Sequence, residues 1–178
     1  QERSIDRKLP SKFSRQVDKN AANDWRRFSF SEELWAHIEE VAEWCNREGV
    51  RLLFFVPPTI VEMQHRITEF GLTDVNHELR ARLARLAPVV DFDFDNALTR
   101  DLSNFNDAYH FKSKVAKAIV AEFSQLIAAP GNAAKLSKRR QGLIRCPIGP
   151  KSEEGKQSHA GLTLQEGLNC RIWSKSDA

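Results

Sequence analysis

The run Val50-Arg51-Leu52-Leu53-Phe54-Phe55-Val56 constrains this chain more than any other stretch. It is short, nearly all apolar and stopped by Pro57-Pro58. Such a run predicts a strand covered on both faces, as in a parallel sheet; a strand with one wet face would alternate apolar and polar residues. A helix leads straight into it. Ser29-Phe30-Ser31-Glu32 has the form of a capping box, with Ser31 as a competing N-cap. Leu34, Trp35, Ile38, Val41, Ala42 and Cys45 follow at helical spacing, and Gly49 suits the position just past a helix end. The helix is expected over 31–48.

Thr59-Ile60-Val61-Glu62 reads as a further capping box, opening a short helix to Phe70 with Gly71 as its stop. Thr73 or Asp74 can cap the next helix, whose Leu79, Leu83 and Leu86 form one stripe. Arg80, Arg82 and Arg85 lie largely off that stripe, and Pro88 ends the helix. Val89 to Phe94 reads as a second strand. Val115, Ala116, Ile119, Val120, Phe123, Leu126 and Ile127 then mark a last amphipathic helix, closed by Pro130-Gly131.

Strands alternating with helices predict an α/β fold with a parallel sheet. Two strands do not complete one, because a parallel pair with apolar faces needs further strands and helices around it. Residues 1–30 are polar and aperiodic and read as an arm or loop. Residues 31–130 therefore read as the C-terminal half of a larger domain, with a missing half-domain or a partner chain implied.

From Gly131 onward the character changes. Six of the eight glycines fall here, with Lys138-Arg139-Arg140 and nine Lys/Arg against four Asp/Glu. Residues 131–178 are expected as a disordered basic tail. The whole chain carries a net charge of only +3, so no nucleic-acid partner is expected. No apolar run approaches the ~20 residues of a membrane span. Cys45, Cys146 and Cys170 are widely spaced and odd in number, which argues against a disulfide framework; Cys45 falls on the apolar face of its helix. No metal motif, glycine-rich dinucleotide loop or phosphate loop occurs, so no cofactor or metal is expected. Asp91, Asp93 and Asp95 alternate and read as the solvated face of an edge strand rather than a cation site. Trp35 is expected in the core; Trp25 could serve as a sugar-stacking platform.

The chemistry rests on histidine. An Asp three residues before a His, in a loop, can hold the imidazole through Nδ1–H and leave Nε2 free to take a proton. The spacing occurs twice. Asp74-Val75-Asn76-His77 falls at a helix start, where capping is a sufficient role for Asp74. Asp107-Ala108-Tyr109-His110 lies in a polar loop beyond the second strand, where open α/β sheets carry their ligands and catalytic groups. Two readings of Asp107 stand side by side there, a cap for the last helix and the orienting carboxylate of His110.

Phe105-Asn106-Asp107-Ala108-Tyr109-His110-Phe111 with the following helix resembles the last conserved block of the SGNH (GDSL-like) hydrolase superfamily. The strands at 52–58 and 89–94 are similar to the penultimate and last core strands of that fold. The resemblance covers residues 30–128 and implies a partial three-layer, flavodoxin-like domain. It implies ester hydrolysis or O-acetyl transfer on an acylated carbohydrate or cell-wall polymer, with His110 as general base and Asp107 as its orienting carboxylate. It also favours an extracytoplasmic setting. The chain departs from the family in lacking a Gly-Asp-Ser nucleophile block. Its nearest match to the Gly-x-Asn-Asp block is Ala21-Ala22-Asn23-Asp24, which makes Asn23 the counterpart of an oxyanion donor. Without a nucleophile most of the acceleration is lost, on the order of 10⁴–10⁶ in kcat for serine proteases. The alternative is a catalytically inert relative, or a truncated product, acting as an interaction module.

Overall fold

The computed structural model describes residues 7–128, 143–145 and 171–173. Helices and strands are mixed, and the sheet that joins them is built on a parallel pair, β1 (Phe54–Val56) and β2 (Val89–Asp91). Phe54 stands opposite Val89, and Val56 opposite Asp91. Two further strands continue the sheet in the order β1-β2-β3-β4. β3 (Leu143–Arg145) runs parallel to β2, and β4 (Arg171–Trp173) runs antiparallel to β3. Two short pieces of the segment expected as a tail thus stand in the sheet. Each is three residues long, too short for any periodicity to show. The rest of 131–178, Lys138-Arg139-Arg140 included, lies outside the described residues.

The helix before β1 forms as its sequence predicts, as α3 (Glu32–Arg47). Ser31 is its N-cap, its hydroxyl accepting from the Leu34 N–H at 3.2 Å. At its far end Gly49 takes φ +69°, which lets Val50 N–H reach Cys45 O at 2.8 Å and turns the chain into β1. α4 (Val61–Glu69) closes in the same way on Gly71, also at φ +69°. Its expected capping box does not form. Thr59 turns instead to Asp93, donating from its hydroxyl at 2.6 Å and its N–H at 2.9 Å, while Glu62 takes Arg7 Nε–H at 2.5 Å. α5 (Thr73–Leu86) likewise starts without a side-chain cap.

The pleat sorts side chains onto two faces. Val89, Phe54 and Val56 pack with Leu83 and Ala84 of α5. Val90 and Phe92 look the other way, into a larger core with Phe105, Leu98 and the last helix, α7 (Ser113–Ala128), through Val115 and Ile119. Phe55, Phe92 and Phe123 meet edge to face there, with ring centroids 5.4–6.1 Å apart. Phe55 is still 38% exposed, so β1 is not covered on both faces as its composition predicts. Among the described residues β1 pairs only with β2 and stands at the edge of the sheet.

Residues 11–25, expected as an arm or loop, are a helical rod: α1 (Ser11–Arg15), a π-helical turn (Gln16–Asn20) and α2 (Ala21–Trp25). Phe13, Val17 and Ala21 are its only buried apolar residues, spaced by four. The wider π turn, marked by Ala21 N–H bonding to Gln16 O, keeps that spacing on one face. So sparse a stripe is masked by the charged residues between. Trp25 packs its ring edge to face against Phe70, with centroids 6.1 Å apart, at the margin of the main core. Trp35 and Cys45 are buried as expected, Cys45 as a free thiol.

Asp91 at the end of β2, with Asp93 and Asp95 beyond it, does not form a solvated edge face. β2 lies between β1 and β3, and Asp91 is fully buried. Alternation turns Asp91 to the α5 side, where Arg80 donates Nε–H to its Oδ2 at 3.0 Å and reaches Asp93 Oδ2 at 3.4 Å. Arg80, expected off the packed stripe, is buried at 7% exposure because it is the counter-ion. Asp95 alone is at the surface, paired with Arg100 at 2.5 Å.

Breaking a buried pair strands a charge. Arg80→Ala should lower unfolding free energy in urea by about 3–5 kcal/mol. Arg85→Ala, whose partner Glu78 is also exposed, should cost no more than about 1 kcal/mol. Equal costs for the two variants would contradict this placement of Arg80.

Candidate active site

Beyond β2 the chain forms a short helix, α6 (Ala97–Arg100), then a 3₁₀ turn (Leu102–Asn104) and the loop that leads to α7. Asn96 caps α6 in a full capping box with Thr99. The loop closes on itself: Phe105 and Phe111 bridge across it, Asn106 N–H bonds to His110 O at 2.8 Å, and Lys112 N–H to Asn104 O at 2.8 Å. Phe105 and Ala108 anchor it in the core, at 2% and 0% exposure.

Asp107 and His110 meet inside this loop. His110 Nδ1 lies 2.8 Å from Oδ1 and 3.0 Å from Oδ2 of Asp107. A carboxylate only accepts, so Nδ1 carries the proton of this bond and Nε2 is the ring nitrogen left for other chemistry. Asp107 Oδ1 also accepts the backbone N–H groups of Tyr109 and His110, each at 3.0 Å. Asp107 is therefore not a cap for the last helix, which begins at Ser113: it caps a turn inside the loop and grips the ring. Its side chain is 13% exposed, against 73% for His110. A sequestered carboxylate thus presents an imidazole to solvent.

Burial by itself would raise the Asp107 pKa, but the Tyr109 N–H, the His110 ring and the His110 N–H together bring it below the usual carboxylate range. Tyr109 is shifted the other way, up, by burial and then by the nearby charges of Asp24 and Asp107.

The other residues singled out by sequence separate. His77 is exposed on α5, and no hydrogen bond joins it to Asp74. Asn23 is exposed on α2, while Ala21 is fully buried. A hollow of about 310 Å³ opens beside Ser11, Lys12, Arg15 and Gln16. Lys12 Nζ stands 3.9 Å from Asp107 Oδ2. Gln16 Oε1 accepts the Ala108 N–H at 2.8 Å, a contact across 92 residues of chain. Nothing in the sequence marks Gln16: it is one polar residue in a polar stretch.

Among the described residues no serine hydroxyl is hydrogen-bonded to His110, no group of three His, Cys, Asp or Glu is placed to hold a metal ion, and no helix is long and apolar enough to cross a membrane. Compared with family models, curated proteins and solved structures, the chain matches none.

The depressed Asp107 pKa fixes a sign. The stabilisation is fully present above the unfolded carboxyl value, roughly 3.9, and is lost as pH falls through the lower folded value. The stability gap between wild type and Asp107→Asn should therefore shrink on acidification below about pH 4. Denaturation curves taken from pH 6 to pH 2 would read it, and a gap that widened toward pH 2 would be the wrong sign.

Proposed function

We propose that this chain is part of an SGNH-like acyl-ester hydrolase or O-acetyltransferase acting on an acylated carbohydrate or cell-wall polymer. The observation that carries the reading is the exposed His110 ring held by Nδ1 on the sequestered Asp107 carboxylate. The loop beyond a central parallel strand is where such folds assemble their sites. In the proposed reaction His110 Nε2 takes the proton of a serine hydroxyl as that oxygen attacks the ester carbonyl. His110 then returns the proton to the departing alcohol oxygen. Asp107 orients the ring and stabilises the imidazolium that forms between the two steps. Water, or a second sugar hydroxyl, releases the acyl group by the same route in reverse.

The serine is supplied from outside residues 7–128, by a missing half-domain or a partner chain. Support comes from α3. Arg82 of α5 lies 4.2 Å over the Trp35 ring and pairs with Glu32, so α3 packs beside α5. One half of its apolar surface, Trp35, Ala42 and Cys45, is buried; the other half, Leu34, Val41 and Trp44, is 49–66% exposed. A right-handed crossover into β1 brings a preceding parallel strand to the free edge of β1, with α3 above it. The full domain would then be a three-layer, flavodoxin-like one. The second reading, an inert relative serving as an interaction module, is favoured by the lack of a serine bonded to His110 among the described residues.

In the complete protein His110→Ala should lower p-nitrophenyl acetate turnover by at least about 10³-fold, and His77→Ala should leave it unchanged. Undiminished turnover in His110→Ala would remove His110 from the mechanism; no turnover in the complete wild-type protein would favour the inert reading.

A further inference from the structure

We propose that Gln16 is the positioning residue of the Asp107–His110 pair, an inference that rests on the reading of that pair as catalytic. Asp107 and His110 are joined by Ala108 and Tyr109, so the direction of the ring depends on how those two peptides are turned. Asp107 Oδ1 fixes the turn from inside by accepting the Tyr109 and His110 N–H groups. The turn as a whole still needs an outside reference, and Ala108 provides it. Ala108 is 0% exposed, so both of its backbone polar groups require partners within the protein. Its C=O accepts the Ile60 N–H at 3.2 Å, and its N–H goes to Gln16 Oε1 at 2.8 Å.

The two partners belong to different parts of the fold. Ile60 follows β1 and is itself fully buried; its neighbour Thr59 is bound to Asp93. Gln16 opens the π turn of the N-terminal rod, whose Phe13, Val17 and Ala21 are set into the main core. The rod therefore cannot shift without dragging the Ala108 peptide. Glutamine suits the position because its amide oxygen is a strong, neutral acceptor on a side chain long enough to reach across from the rod. The neutrality matters, since a fixed negative charge there would oppose ionisation of Asp107 next door.

A group that merely satisfies a buried N–H would affect stability alone; a positioning residue also sets the Asp107 environment. In wild type the Ala108 amide should exchange with deuterium far more slowly than an open loop amide. Exchange at the open-loop rate would overturn the proposal without any variant. In Gln16→Leu, similar in size but without an acceptor, Ala108 exchange should accelerate at least about tenfold. The Asp107 titration midpoint, read by carboxyl ¹³C shifts, should rise toward the ordinary carboxylate value as the Tyr109 and His110 N–H groups slip from it. Gln16→Glu keeps an acceptor oxygen and should restore slow Ala108 exchange. A folded Gln16→Leu protein with an unmoved Asp107 midpoint, or a Gln16→Glu protein that exchanges as fast as Gln16→Leu, would reduce Gln16 to a structural role. Those failures would leave the catalytic reading standing, because that reading is tested separately by His110→Ala turnover.

Discussion

The Ala108 peptide is the constraint on which the candidate site depends. A buried backbone amide cannot be left unpaired without a cost comparable to a lost hydrogen bond. Here the N–H and C=O of one residue tie the N-terminal rod and the segment after β1 to the same loop. Phe105 and Ala108 sink into the core, and Asp107 and His110 are carried to its rim by what remains of the loop. An exposed histidine with a defined ring orientation needs such rigidity underneath it, because solvent alone would leave the ring free to rotate.

The second fixed point is the carboxyl end of β2. Asp91 is placed by alternation on the face away from the main core, where Arg80 of α5 and the Asp93 N–H, at 2.8 Å from Oδ1, make that burial tolerable. Asp93 extends the arrangement to Thr59 and Gln64. The chain after β1 is thereby fixed to the chain after β2, just short of Ile60. A buried ion pair and a pinned loop are thus neighbours through a single residue step, from Thr59 to Ile60.

Much of this frame is legible in the sequence, for identifiable reasons. Ser31 and Gly49 bound α3 because a cap and a left-handed stop are local chemistry. Both strands sit inside their predicted runs, and α7 follows its apolar stripe, because burial periodicity is strong there. The Asp107–His110 contact is legible because only two residues of one loop, Ala108 and Tyr109, separate its partners. What is not legible depends on distant partners. Thr59 could cap α4, yet Asp93 takes it; Arg80, Asp91 and Asp93 look like surface residues until they face each other. The rod at 11–25 escapes notice because Phe13, Val17 and Ala21 are few among charges and its π turn alters the period. Gln16 escapes for the simplest reason, that its partner is a backbone N–H and leaves no pattern in side chains.

The account of function reduces to one proton. With Nδ1–H given to Asp107, His110 meets solvent through Nε2, the nitrogen a general base would use. Imidazole ¹⁵N shifts of the neutral ring test this most directly. The account predicts that His110 is held as the Nδ1–H tautomer, in contrast to the exposed His77. A His110 spectrum dominated by the Nε2–H tautomer, as in free histidine, would contradict it.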